Sequence, residues 1–234
     1  MALEKRIIPT LQLAYRRAVK TVNFSDPRYL GDPVNIAKIW SEHEAHEIII
    51  IDITHHLNVE MLKRIARNVF VPVSYGGGIE TLDDAREALK WGCEKVILGC
   101  CASKVLIREI ADEAGSQSVV ASLDHDDYGN TFIDGGKTDI EMDIVNRAKD
   151  AQAAGAGEIM LHSITRDGTF QGLNRALANQ VLQVVNIPVC VCGGASSIDD
   201  MKAVHELGAS GCAAGSLFCF DGPARNVLVS YRRN

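Results

Sequence analysis

Eight short apolar runs, each followed by a stretch with helical periodicity, restrict this chain to very few folds. The runs are RIIPTLQL, EIIIIDI, VPVSYGG, KVILGC, VVASLD, EIMLHSI, IPVCVCGG and GCAAGSL, with patterns such as TLDDAREALKWG between them. Strands with one wet face alternate apolar and polar residues; unbroken apolar runs belong to parallel sheets covered on both faces. Eight βα units in 234 residues favour a closed (β/α)8 TIM barrel over an open sheet, as a single α/β domain spanning 1–234.

The chain also repeats itself. VPVSYGGGIETLDDAREALKWG from Val71 aligns without a gap on IPVCVCGGASSIDDMKAVHELG from Ile187. Pro72/Pro188, Gly77/Gly193, Gly78/Gly194, Asp83/Asp199, Asp84/Asp200 and Gly92/Gly208 coincide. The offset is about half the chain, so the barrel is expected to consist of two fused half-barrels. The paired aspartates read as helix-start charges, because adjacent helical side chains do not face each other.

Composition removes several classes of function. A formal charge of −6 and no basic run beyond Arg16-Arg17 or Arg232-Arg233 leave nucleic acid without an electrostatic footprint. The longest aliphatic run, Ile48 to Ile51, is too short to cross a bilayer, so a soluble, cytoplasmic protein is expected. The seven cysteines show no CxxC spacing and read as reduced packing residues. Cys190 and Cys192 share a strand face but lack further ligands, and His55-His56 lack a third, so no metal and no cofactor is expected.

In a barrel of this kind the functional loops follow the strands. The residues closing the apolar runs are Gln12, Asp52, Gly76 to Gly78, Gly99, Asp124, the SITRDGT segment containing Ser163, Gly193-Gly194 and Gly215-Ser216. Glycines at such places let backbone N–H groups approach phosphate oxygens. The repeat then predicts two cradles, one from Gly77, Gly78 and Gly99, the other from Gly168, Thr169, Gly193, Gly194, Gly215 and Ser216. At the opposite strand ends, Arg6, Glu47, Lys95 and Glu158 stand directly before apolar runs. Two cations and two anions there would form an ion-pair ring at the barrel floor, acting as a stabilising plug or as a gate.

The strings RIIPTLQL, VKTVNF, GDPVNIAK, GGGIETLDDAR, LIREIADEAGSQ, RDGT and GGASSIDD resemble, over nearly the whole chain, the cyclase subunit of imidazole glycerol phosphate synthase. The resemblance implies an ammonia-dependent synthase, a lyase-type subunit, that takes ammonia from a glutaminase docked on the bottom face. It also implies closure of an imidazole ring on a substrate bearing a phosphate at each end, with two aspartates as acid and base. By motif the second aspartate is Asp124; Asp167 belongs to the second phosphate site; Arg6, Glu47, Lys95 and Glu158 form the ammonia gate.

Five positions depart from that pattern. The first catalytic aspartate is Gln12, within Thr10-Leu11-Gln12, and an amide is neither general acid nor base near neutral pH. Gly99-Cys100 replace an Asn-Ser/Thr pair, His162 replaces a threonine, and Ala14 an early loop lysine, while Lys20 is retained. VKTVNF with DPRYLGDP resembles a branch associated with glycosyl amidation, working with a glutaminase-like subunit and a sugar amidotransferase on surface polysaccharides. The expected ligand is a phosphorylated small molecule or nucleotide sugar. Two alternatives stand beside this: a histidine-pathway cyclase in which Asp124 suffices or Asp52 or Asp126 supplies the proton, and a scaffold that only activates a glutaminase. Lys20, Asp52, His162 and Ser163 are the expected substrate-loop residues.

Overall fold

The computed structural model describes residues 5–99, 102–222 and 224–232. In chain order its first half contains β1 (Arg6–Ala14), β2 (Arg17–Val22), β3 (Ser25–Gly31), α1 (Pro33–Glu42), β4 (Ile48–Asp52), α2 (Val59–Ala66), β5 (Val73–Gly76), α3 (Leu82–Lys90) and β6 (Lys95–Leu98). After α4 (Lys104–Ala114) come β7 (Val119–His125), β8 (Asn130–Ile133), β9 (Thr138–Asp143) and α5 (Ile144–Ala154). The chain continues through β10 (Glu158–Ser163), α6 (Arg175–Leu182), β11 (Val189–Cys192), α7 (Ile198–Glu206), β12 (Gly211–Ala214) and the single turn α8 (Ser216–Cys219). A short antiparallel pair, β13 (Phe220–Asp221) and β14 (Asn226–Val227), follows.

The strands β1, β4, β5, β6, β7, β10, β11 and β12 pair in parallel in that order, and β12 returns to β1, closing the barrel. Period-two burial explains the unbroken apolar runs. Ile48 and Ile50 pack outward under the helices while Ile49 and Ile51 point to the axis. Burying such a side chain contributes about 1.5–3 kcal/mol, and both faces of each strand collect it. The axial cluster holds Ile8, Ile49, Ile97, Val120, Met160, Cys190, Cys192 and Ala213. Cys190 and Cys192 are therefore packing residues on one face, and both are free thiols; Cys100 and Cys101 lie outside the described residues.

The repeat is visible in the folded chain. Thr81 caps α3 in a capping box with Asp84, and Ser197 caps α7 through Asp200 N–H. The first strand of each half is followed by an antiparallel hairpin: β2–β3 hangs on β1, with Gln12 opposite Val19, and β8–β9 hangs on β7, with Asp124 opposite Phe132. Gln12 and Asp124 thus occupy matching places, each at the root of a hairpin over the barrel mouth.

Candidate functional site

Gln12 is 5% exposed, and its amide carbonyl is already engaged. Oε1 accepts from the Thr21 N–H at 2.9 Å and lies 3.1 Å from Thr21 Oγ1. That hydroxyl also stands 3.3 Å from Asp167 Oδ2, and its single proton serves one acceptor at a time. Lys20, beside it on β2, donates to Asp167 Oδ1 (3.0 Å), Asp167 Oδ2 (2.8 Å) and the Thr21 carbonyl (2.8 Å). Lys20, expected on a loop, is a buried residue of strand β2, 3% exposed.

On the far side of Asp167, His162 reaches across to Asp124 on the neighbouring strand β7, within the same half of the barrel. Its Nε2 is 3.7 Å from Asp167 Oδ1 and its Nδ1 3.6 Å from Asp124 Oδ1. Parallel pairing of β10 with β7 sets His162 level with Asp124, and the Phe24 ring packs at 4.7 Å from the imidazole. Burial works against a charged imidazole, but Cys192, Asp167 and Asp124 outweigh it and hold His162 well above its usual value. Burial likewise pushes the Asp124 carboxyl up, and the charge of His162 offsets that only in part. For Asp167 burial is overcome by His162 and Lys20, which bring the carboxyl down to about 2. The mouth therefore contains a firm anion, Asp167, a retained imidazolium, and in Asp124 a carboxyl displaced toward holding a proton. Such a pairing suits general acid–base work.

Most of the residues expected at the second cradle come together, Thr169 excepted. Asp167, Gly168, Gly193, Gly194, Gly215 and Ser216 line one pocket together with Phe170, Ala195, Ala214 and Leu217. Ser216 is 5% exposed and its Oγ has no hydrogen-bond partner. Thr169 is beside this pocket, but its hydroxyl donates to the Arg166 carbonyl at 2.7 Å. The glycines are dictated by neighbouring loops. Gly193 has φ +93°, and a Cβ there would stand 2.5 Å from the Ser163 carbonyl; Gly77 has φ +94°, and its Cβ would stand 2.1 Å from the Asp52 carbonyl. Gly78 is similarly pressed on the backbone of His56 and Leu57. Gly99 is exposed at the end of β6, and Cys100 lies outside the described residues.

At the opposite end the four charged residues form one closed set. Arg6 pairs with both Glu47 and Glu158, and Lys95 pairs with the same two carboxylates at 3.0 and 2.9 Å. Ser74 donates to Glu47. Charges alternate around the axis from β1 to the residue before β4, then β6 and β10. The two carboxylate side chains are 4% and 7% exposed, and the axial apolar cluster stacks directly above them.

Other expected residues are committed to local structure. Asp52 Oδ1 accepts from Thr54 N (2.9 Å) and Oγ1 (2.5 Å). Asp126 closes the β7–β8 turn through Tyr128 N and Asn130 N, so both aspartates are occupied as turn acceptors. The Ser163 hydroxyl meets Thr165 Oγ1 at 3.4 Å. His55 and His56 are exposed, and among the described residues no His/Cys/Asp/Glu group is arranged for a metal. Asp200 does more than begin a helix: it accepts from Leu173 N and Ser196 N and pairs with Arg175 at 2.9 Å, fixing the loop that carries Gly172. Thr21, Phe24 and Phe170 were not singled out in the sequence.

A barrel closed over an ion-pair floor, with a glycine cradle and a carboxylate–imidazole set at its mouth, defines the class. The chain belongs to the family described as histidine biosynthesis protein, whose model matches residues 6–223, and within it is a HisF-like synthase subunit of the imidazole glycerol phosphate synthase cyclase type. It is 42% identical over 241 residues to imidazole glycerol phosphate synthase subunit hisF2 of Pseudomonas aeruginosa, covering 98% of this chain and 96% of that protein. It is 40% identical to subunit HisF of Hydrogenobaculum sp., with the same coverage. Subunit hisF3 of Vibrio vulnificus is 37% identical over 243 residues, 98% of this chain and 93% of that protein. Among the described residues no helix is long and apolar enough to cross a membrane.

Proposed function

We propose that this chain is the ammonia-accepting subunit of a synthase whose acceptor is a sugar nucleotide of surface-polysaccharide synthesis. A glutaminase docks under the ring of Arg6, Glu47, Lys95 and Glu158, and a sugar amidotransferase completes the system. The axial wall of Ile8, Ile49, Ile97, Val120 and Met160 suits neutral ammonia; a bare ammonium ion there would be desolvated without a partner. At the mouth, the Gly193–Ser216 cradle takes the phosphorylated end of the acceptor, and Asp124 with His162 handles protons.

The observation that carries this reading is the fate of Gln12. Ring closure with two carboxylates needs a titratable group at the root of the first hairpin. That position instead holds an amide whose carbonyl is consumed by Thr21, so it supplies no general acid or base. A second reading, the histidine-pathway cyclase, draws on His162, which stands between Asp124 and Asp167 as a second titratable group.

Turnover of the histidine-pathway bisphosphate precursor with saturating ammonium salt separates the two. The proposal expects silence from the native chain, and gain of ring closure in Gln12→Asp by up to the roughly 10²- to 10⁴-fold that an acid–base group contributes. Turnover by the native chain refutes it and favours the histidine-pathway reading.

A further inference from the structure

The cations nearest the second cradle, Lys20 and His162, are both held by Asp167. Asp167 lines the cradle, and Lys20 is spent on Asp167 with all three of its donors placed. An entering phosphoryl group finds backbone N–H groups and the free Ser216 hydroxyl, but no spare cation inside.

Spare cations stand at its rim. Phe170, a lining residue, holds a left-handed backbone (φ +63°) and carries the Arg225 guanidinium 5.3 Å from its ring centroid. Arg225 is itself left-handed (φ +50°), and its carbonyl accepts from Arg28 Nη1 at 2.7 Å. Arg28 in turn sits 5.3 Å from the Phe220 ring centroid. Among the described residues neither arginine has a carboxylate partner. In a chain of formal charge −6, an un-neutralised pair of this kind is an anion-binding feature. Stacking on a ring leaves the guanidinium edge free for a phosphate, and the fork geometry suits bidentate contact.

We propose that the cradle continues over Phe170 into a clamp formed by Arg28 and Arg225, and that together they hold a diphosphate. The first phosphoryl group occupies the Gly193–Ser216 cradle and the second, joined through a shared oxygen, meets the arginines. The inference rests on the function proposed above and sharpens it, because a nucleoside-diphosphate sugar carries adjacent phosphoryl groups, whereas a substrate with one phosphate at each end does not.

The test is calorimetric titration of the full chain with inorganic phosphate and with inorganic pyrophosphate. Charge-assisted contacts predict pyrophosphate binding at least about tenfold tighter, with Arg225→Gln and Arg28→Gln each removing about tenfold of that and leaving phosphate affinity within about twofold. Arg28 is exposed and Arg225 half-buried, and an unchanged unfolding midpoint verifies the fold of each variant. Equal affinity for the two anions, or equal loss of both in Arg225→Gln, overturns the clamp while leaving the cradle. Ser216→Asp, which places a carboxylate in the cradle, must weaken both anions. If pyrophosphate binding survives that change it lies elsewhere, and the clamp is again refuted. If neither anion binds the native chain, the cradle itself, and with it the proposed function, fails.

Discussion

Replacing Asp167 by Asn tests the electrostatic centre of the mouth. The carboxyl moves from 3.8 to about 2, which corresponds to about 2 kcal/mol of stability near neutral pH. The variant also leaves the Lys20 ammonium, 3% exposed, without its counter-ion, and breaking a buried pair costs about 3–5 kcal/mol. A loss between these figures is expected in equilibrium denaturation at pH 7, read as a fall in midpoint at unchanged slope. The pH dependence has a definite sign. A carboxyl that titrates lower when folded contributes fully above 3.8 and loses its contribution as pH falls through about 2, so the gap between native chain and variant narrows by about 1 kcal/mol by pH 3. Combining Asp167→Asn with Lys20→Met removes both charges and should recover most of the loss. A deficit under about 1 kcal/mol, identical at pH 7 and pH 3, would refute the assignment of a buried, mutually dependent pair.

Lys95→Met leaves Glu47 and Glu158 sharing Arg6 alone and is expected to cost about 3–5 kcal/mol at pH 7. Burial pushes the Glu47 carboxyl up, but Lys95 and Arg6 hold it below its usual value, so that contribution is present above 4.5 and fades in acid; denaturation at two pH values reads both effects. Ser216→Ala removes a hydroxyl that has no partner and should change stability by less than about 0.5 kcal/mol. Phosphate binding by the same variant, followed by titration calorimetry, should weaken about tenfold.

Much of this architecture was legible because it rests on local rules. The runs of Ile and Val announced a doubly covered parallel sheet, and Thr81-Leu-Asp-Asp and Ser197-Ile-Asp-Asp announced helix starts. The recurrence of Gly77/Gly78 and Gly193/Gly194 at matching strand ends was legible in the sequence. The two hairpins were not legible. All six residues of β9 are exposed or half-exposed, so no alternation marks them as a strand, and β3 is exposed over its first five residues. Gln12 could be recognised as a replaced aspartate, but its bond to Thr21 exists only because β2 folds back onto β1. Asp200 read as a cap because its other partners, Leu173 and Arg175, are brought to it by the loop before α6.

The floor ring also has a bearing on ancestry. The first half of the chain brings Arg6, Glu47 and Lys95 to it and the second half only Glu158. Two copies of the first half would face each other with an excess of two positive charges, and two copies of the second with two bare carboxylates; only one of each is neutral. Desolvated as it is, this floor works as a lock and key between the halves. Whatever symmetry the ancestral pair possessed, these halves are no longer interchangeable, and if expressed as separate fragments they should choose each other over themselves.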